Sequence, residues 1–210
     1  LDTLFADDYR LLKEILHHHE TIQKPRIQEL LDYAEGNNHD ISKAGRRRDD
    51  DMADARAIHN FGRAIAVFKQ GYLVGNPIQV SYEDDNYQEQ LDELAKQNGF
   101  HQLNRSLVLD LSKTGRAYDL VYRAQDDTTR AVKLDPLGTF VIYDDTLEMH
   151  SVAGVRYYQA NPFDDKKKIV EVYTPSDIMT FEYDGTLNEI SRTSHAFELV
   201  PITEYMNQTD

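Results

Sequence analysis

The apolar residues of this chain change their spacing at Gly115, and this change constrains the fold more than any other feature. Before Gly115, apolar residues recur every three or four positions, which is the repeat of amphipathic helices. After it, short stretches alternate apolar and polar side chains between polar turns, as half-buried strands do. Helices followed by a mostly antiparallel β-meander predict an α+β fold and argue against parallel βαβ units.

Five helices are predicted before Gly115. The first follows Asp8, the second runs from Pro25 to a C-cap at Gly36, and residues 37–48 form a loop. A long third helix starts at residues 49–51 and ends near 71–75, with a buried face that consists of Ala55, Ile58, Phe61, Ile65, Phe68 and Tyr72. After a short strand at 78–82, two further helices end at Gly99 and Gly115. Tyr87, Leu91, Leu94 and Ala95 are predicted to face inward.

The strands follow at regular spacing. They are predicted at 117–123, 129–134, 140–143, 155–159, 169–173, 178–183, 187–192 and 202–205. Tight turns are predicted at 125–128 and at the Asp184-Gly185 pair. We divide the chain into a helical segment with its loop at 1–48 and an α+β domain at 49–210. The chain begins at Leu1 rather than Met, and we interpret it as part of a longer protein.

Composition excludes some chemistry. Among 210 residues there is no cysteine, so disulfides, thiolate metal sites and a cysteine nucleophile are excluded. The 23 basic and 37 acidic residues leave a net charge of −14, which opposes tight binding to nucleic acid. No apolar run is long enough to cross a bilayer, so no membrane partner is expected.

Catalytic and cofactor motifs are absent from the sequence: it contains no P-loop, dinucleotide-binding glycine motif, zinc-protease motif or nucleophile elbow. His17, His18 and His19 are consecutive, so on a helix their rings point in different directions and cannot share one ion. We interpret them as a solvated helix end. Asp135, Asp144 and Asp145 could gather at one end of a hairpin and bind Mg²⁺, and this alternative predicts a metal-dependent phosphodiesterase.

Other clusters have simpler interpretations. The basic runs at 46–48 and 166–168 each adjoin acidic residues, which cancel the local field and favour solvated loops over phosphate contacts. The tyrosines of the strands lack basic neighbours for base stacking, and we expect them to pack in the sheet. A general protein-binding module remains a further hypothesis, and it would expose a large apolar patch.

An ordered series of short segments runs through the chain, at 56–60, 71–78, 115–122, 133–136, 141–144, 155–158, 170–174 and 199–205. Its landmark residues are Gly71, Tyr72, Gly75, Pro77, Gly115, Tyr118, Pro136, Tyr143, Tyr157 and Pro201. Over about residues 20–207 the series resembles the portal proteins of tailed bacteriophages, in the form found in siphophages of Gram-positive hosts. We expect Gly75 to let the chain leave its helix in a conformation closed to larger residues.

The resemblance implies a structural protein without catalytic residues or cofactors. Portal proteins form a ring, usually dodecameric, at one capsid vertex, through which DNA is packaged and ejected. The terminase and the head–tail connector dock on it, and the capsid or scaffold protein surrounds it, in the host cytoplasm during assembly and then in the virion. This chain resembles the N-terminal, wing-forming part; the stem, clip and crown are absent, and the paired asparagines usual near this point are Asn207 and Gln208 here.

Overall fold

The computed structural model describes residues 2–37, 59–161, 163 and 167–207. Its helices are α1 (Asp2–Phe5), α2 (Arg10–His18), α3 (Lys24–Glu35), α4 (Phe61–Val74), α5 (Asp85–Asn98) and α6 (Phe100–Thr114). Its strands are β1 (Arg116–Arg123), β2 (Thr129–Leu134), β3 (Thr139–Tyr143), β4 (Ser151–Tyr158), β5 (Lys168–Tyr173), β6 (Asp177–Tyr183), β7 (Leu187–Ser194) and β8 (Ile202–Met206). The predicted α+β class, with helices first and antiparallel strands second, is confirmed. None of the helices in these described ranges is long and apolar enough to cross a membrane.

The strands form two sheets. β1 lies between β2 and β8 in a three-stranded sheet, while β3 to β7 form a five-stranded meander in chain order. β8 therefore returns across the molecule to pair with β1, with Tyr118 opposite Glu204. The predicted turns are present, with Asp127 and Gly185 at positive φ.

Helices α2 and α3 form one continuous helical run, where the sequence predicted two separate helices. A π-helical turn, His19–Gln23, joins them. Pro25 at the start of α3 has no amide to donate to the preceding turn, so the wider π turn accommodates the interrupted ladder. Gly36 ends α3 with φ 89°, as predicted.

The buried face predicted for the long helix is wrong in the described part. Phe61, Ile65, Phe68 and Tyr72 are 58–81% exposed, whereas Ala66 and Val74 are buried. The small Ala66 side chain faces α6 and α3, the helices that α4 contacts. The predicted start at 49–51, together with Ala55 and Ile58, lies outside the described residues.

The predicted strand at 78–82 is absent, although the segment is extended. No neighbouring strand pairs with it there. Instead, the amide of Gln88 on α5 donates to the Val80 carbonyl at 3.1 Å and accepts from the Tyr82 amide at 2.7 Å. One side chain thus replaces a strand neighbour. Tyr87 was predicted to face inward and is 56% exposed.

The main core lies between α1, α2 and the five-stranded sheet. Its fully buried residues include Leu12, Leu16, Val155, Val170, Val172 and Phe181. A second cluster lies between the two sheets and includes Tyr118, Leu134, Tyr173 and Ile202. The two sheets are therefore joined by apolar packing.

Candidate functional site

A buried carboxylate joins the two sheets and the end of α6. The Glu204 side chain, on β8, is 1% exposed. It accepts hydrogen bonds from the Tyr118 hydroxyl at 2.7 Å, the Tyr143 hydroxyl at 3.0 Å and the Arg116 guanidinium. Arg116 and Tyr118 are on β1, directly after α6, and Tyr143 ends β3. We call these four residues the Glu204 cluster.

The electrostatics of the Glu204 cluster keep its hydrogen bonds formed at neutral pH. Burial, reinforced by the Glu204 charge, raises the pKa of Tyr143 to about 12. Burial also raises the pKa of Tyr118 well above its usual range, so both phenols remain protonated donors at neutral pH. Since the carboxylate is paired with Arg116 and accepts two further bonds, its burial is compensated.

A buried histidine lies beside this cluster. His19, in the π turn, is 1% exposed, and its ring stacks on Phe140 at 4.6 Å. Its Nδ1 is 2.9 Å from the Tyr157 hydroxyl, and that hydroxyl donates to the Leu137 carbonyl at 3.2 Å. Tyr157 therefore accepts from Nδ1–H. Burial lowers the pKa of His19 to about 4, so the ring is neutral.

The three histidines were interpreted as a solvated helix end, but the helical run continues past them, and only His17 and His18 are solvated. His17 and His18 are exposed, whereas His19 faces the sheet. The reason is that His19 follows Leu12 and Leu16 at intervals of four and three residues and so lies on the buried face of the same helical run.

The proposed cluster of aspartates is not formed. Asp135 lies in the turn before β3 and caps it by accepting from the Leu137 amide. Asp144 and Asp145 follow β3, at its opposite end, and Asp144 accepts from Thr146 and from the His150 amide. The intervening strand separates the two ends by more than ~15 Å. In the part of the chain that the structure describes, no three His, Asp or Glu side chains are grouped to hold a metal ion.

The basic runs do not form a patch within the described residues. Lys167 pairs with Glu182 at 3.2 Å, and Lys168 pairs with Glu20 of the π turn. Residues 46–51 lie outside the described residues.

Four landmark residues surround the end of α4. Gly71 and Tyr72 are in the helix, and Gly75 and Pro77 follow it. The expected reason for Gly75 is wrong, because its φ of −64° is open to any residue. The constraint is space: a Cβ at Gly75 would be 2.3 Å from the Gly71 carbonyl oxygen. Only glycine permits this close approach.

The other landmarks lie around the sheets. Gly115 has φ 76° and ends α6, and its carbonyl accepts from the Asn207 amide at 2.9 Å. Pro136 is in the turn between β2 and β3, and Pro201 precedes β8 and accepts from the Val121 amide at 3.0 Å. Gly115, Tyr118 and Tyr143 thus lie at or next to the Glu204 cluster, and Tyr157 contacts His19 beside it.

Sequence reasoning missed Glu204 and His19. Glu204 lies on the same face of β8 as Ile202 and Met206, but a carboxylate at the centre of a five-residue strand does not by itself show that it has buried partners. Its partners Tyr118 and Tyr143 are 86 and 61 residues away. Only the return of β8 to β1 brings them together.

A family model described as "Phage portal protein, SPP1 Gp6-like" matches residues 12–210. The chain belongs to this portal family. A comparison with curated proteins finds no match. Membership gives the chain a structural role in a bacteriophage, at the capsid of the virion. The Glu204 cluster of this portal chain is accordingly a structural junction, at which three chain segments are held in fixed relative positions.

Proposed function

We propose that this chain forms the wing of a portal subunit of the kind found in siphophages of Gram-positive hosts, and that its task is to position neighbouring subunits in a ring. The observation that carries the proposal is the family match over residues 12–210. In this proposal, residues 1–48 are a helical segment with its loop, and 49–210 are the wing domain.

The contacts between the two sheets support the proposal that this chain is a rigid structural element. The Glu204 cluster connects β1, β3 and β8, and apolar residues of both sheets fill the space beside it. Because the carboxylate bonds are charge-assisted and buried, relative movement of the two sheets would leave a charge unpaired. A component that sets the spacing of its neighbours benefits from such stiffness.

The net negative charge of the chain supports a role in a ring through which DNA passes without binding tightly. A net charge of −14 repels the phosphate backbone, so a ring built from such subunits would hold DNA weakly. In this proposal the assembled portal is usually a dodecamer at one capsid vertex. It assembles in the host cytoplasm, contacts the capsid or scaffold protein, and presents docking surfaces to the terminase and the head–tail connector.

Electron microscopy of the complete portal protein that contains this chain tests the proposal. We expect closed rings with an axial hole, and we expect the 210-residue chain alone to be monomeric or weakly associated in light scattering. A complete protein that remains monomeric at all concentrations would contradict the proposed ring. A gel-shift assay of the 210-residue chain with duplex DNA should show no complex at physiological salt.

A further inference from the structure

One face of α4 carries large apolar side chains at helical spacing, as a buried face does, yet these side chains are exposed to solvent. Phe61, Ile65, Phe68 and Tyr72 follow each other at intervals of four, three and four residues, which places them within about 60° of arc on an α-helix. We call these four residues the α4 stripe. Their exposures of 69, 58, 72 and 81% are high for large apolar side chains, two of which stack on each other with ring centroids 6.4 Å apart.

The chain's own helices already occupy the opposite side of α4. Ala66 and Val74 are buried there, and the Gln70 side chain donates to the Arg105 carbonyl of α6 at 2.7 Å. These positions are centred about 180° from the stripe. The stripe therefore faces away from α3 and α6, the helices against which α4 packs. A contiguous apolar surface of this kind marks an interaction site.

A matching groove lies elsewhere on the same chain. It has a volume of about 450 Å³ and separates the extended segment after Pro77 from α5 and the start of α6. Its apolar walls are formed by Ile78, Val80, Leu91, Ala95 and Phe100. Helix α5, which forms one wall, has no buried residue. We call this the α5 groove.

The charges of the two helices are complementary. α4 contains two basic residues and no acidic residue, whereas α5 contains four acidic residues and one basic residue. Lys69 flanks the stripe beside Phe68, and Asp92 lines the groove beside Leu91. An apolar stripe with a basic flank fits an apolar groove with an acidic rim, and opposite charges fix the register of such a contact.

We propose that the α4 stripe of one subunit docks in the α5 groove of a second copy of this chain. The contact joins two different surfaces, and such head-to-tail contacts generate closed rings when the rotation between subunits closes. The inference rests on the proposed function, since it supplies the contact between neighbouring portal subunits. A helix of 14 residues is only about 21 Å long, so this contact is one part of the interface that a stable ring requires.

Cysteine cross-linking tests the contact directly, because the chain has no cysteine of its own. One preparation carries Lys69→Cys, a second carries Asp92→Cys, and the two are mixed and oxidised, both as the 210-residue chain and in the complete portal protein. Both residues are exposed, and the bond lost in Asp92→Cys is the one that Asp92 accepts from the Gln88 side chain of the same helix at 2.9 Å. The control replaces Asp92→Cys with Leu147→Cys, a fully exposed residue in the turn between β3 and β4.

We expect a disulfide between Lys69→Cys and Asp92→Cys chains, formed at least several-fold faster than the control pair forms one. Cross-linking no faster than the control would overturn the proposal. Cross-linking only between two Lys69→Cys chains would also overturn it, since stripe would then meet stripe. If the complete protein forms rings without the predicted disulfide, the docking contact is wrong while the portal function stands.

A second measurement uses charge exchange in the complete protein. Lys69→Glu should weaken subunit association about tenfold, and Asp92→Lys on the neighbouring subunit should restore it. The thermal midpoint of the isolated 210-residue chain should not change in Lys69→Glu, and it should fall only slightly in Asp92→Lys, which loses one exposed hydrogen bond from Gln88. An unchanged association of Lys69→Glu, or a failure of the double variant to recover, would contradict the pairing of these two residues.

Discussion

The five-stranded sheet and the α4–α5 region differ in how completely each buries its own apolar residues. In the sheet, Val155, Val170, Val172 and Phe181 have no exposed surface. In the helical region, α5 buries no residue, and α4 exposes six large apolar side chains, the four of the stripe together with Val67 and Leu73. The sheet is complete within one chain, whereas the helices carry apolar surface that a single chain leaves in water. The apolar residues of the sheet therefore stabilise the single chain, whereas those of the helices are available to contact another chain.

The way each region is held explains this difference. The sheet has α1 and α2 across one face and the three-stranded sheet beside it. Helix α5, by contrast, is held by polar contacts near its two ends. Gln88 bonds to Val80 and Tyr82, and the Asn98 side chain donates to the Thr129 carbonyl and accepts from the Ala131 amide of β2. A helix held through a few polar side chains keeps most of its surface available to a neighbour.

The largest effect is expected in the sheet. Phe181→Ala should lower the free energy of unfolding by about 3–5 kcal/mol, because it removes a fully buried ring from the main core and leaves a cavity. Urea denaturation of the 210-residue chain measures this loss. A loss below about 1 kcal/mol would show that the core relaxes around the cavity, and it would weaken the contrast between the regions.

His19 should make the contact between the π turn and the sheet sensitive to acid. Its pKa is about 4 in the folded chain and 6.5 ordinarily, so the unfolded chain binds more protons between these values. Stability should therefore be complete above pH 6.5 and fall as the pH approaches 4, by up to about 3 kcal/mol from this residue.

Unfolding free energies measured from pH 4 to 7 test this, with His19→Gln expected to flatten the slope. The matched control is His18→Gln on the exposed side, which should retain it. Equal slopes in all three proteins would show that His19 is not held neutral by burial.

A substitution at Gly115, between α6 and β1, should lower the free energy of unfolding moderately. Gly115→Ala should cost about 1 kcal/mol, because φ is 76° and side chains with a Cβ adopt this conformation unfavourably. No heavy atom lies within 4 Å of the added Cβ, so only the backbone is strained.

The control substitution is Gly71→Ala within α4. It also has no atom within 4 Å of the new Cβ, and it should stabilise the helix by about 0.5–1 kcal/mol. Thermal melting of both variants should give shifts of opposite sign. Shifts of the same sign would contradict the backbone argument.

The smallest effect is expected on the α4 stripe. Phe68→Ala removes a phenyl ring, as Phe181→Ala does. It should nevertheless change the free energy of unfolding of the 210-residue chain by less than about 0.5 kcal/mol, because Phe68 is 72% exposed. Urea denaturation, run beside the Phe181 variant, compares the two regions directly. A loss similar to that of Phe181→Ala would break the comparison, since it would mean that the stripe packs within its own chain.

Much of the fold could be predicted from the sequence. Strand positions, the ends of helices at Gly36, Gly99 and Gly115, and the antiparallel meander follow from residue spacing and turn residues, which act locally. The division at residues 48 and 49 stays a prediction. The strand expected at 78–82 failed because alternating side chains favour an extended segment but cannot supply a neighbouring strand; Gln88 supplies the hydrogen bonds instead.

Much less of the candidate site could be predicted. The landmark residues were identified by resemblance, and the structure places Tyr118 and Tyr143 on one carboxylate. Glu204 was not singled out, and His19 was interpreted as solvated, because the roles of both residues depend on partners that are distant in sequence. The aspartates were expected together, and they lie at opposite ends of β3 because Asp135 is in the connection that enters this strand and Asp144 and Asp145 are in the turn that leaves it.

By itself, the sequence determined where most helices, strands and turns lie, apart from the strand expected at 78–82 and the break expected before Pro25, and it determined that Phe61, Ile65, Phe68 and Tyr72 share one helix face. These properties depend on local backbone preferences and on side-chain periodicity. Only the tertiary structure decided which face of α4 packs inward and which carboxylate is buried at the junction of the sheets. The physical reason is that burial depends on the surfaces that long-range folding brings together, and the small side chain of Ala66 lets α4 approach its neighbours where the large residues of the stripe would not.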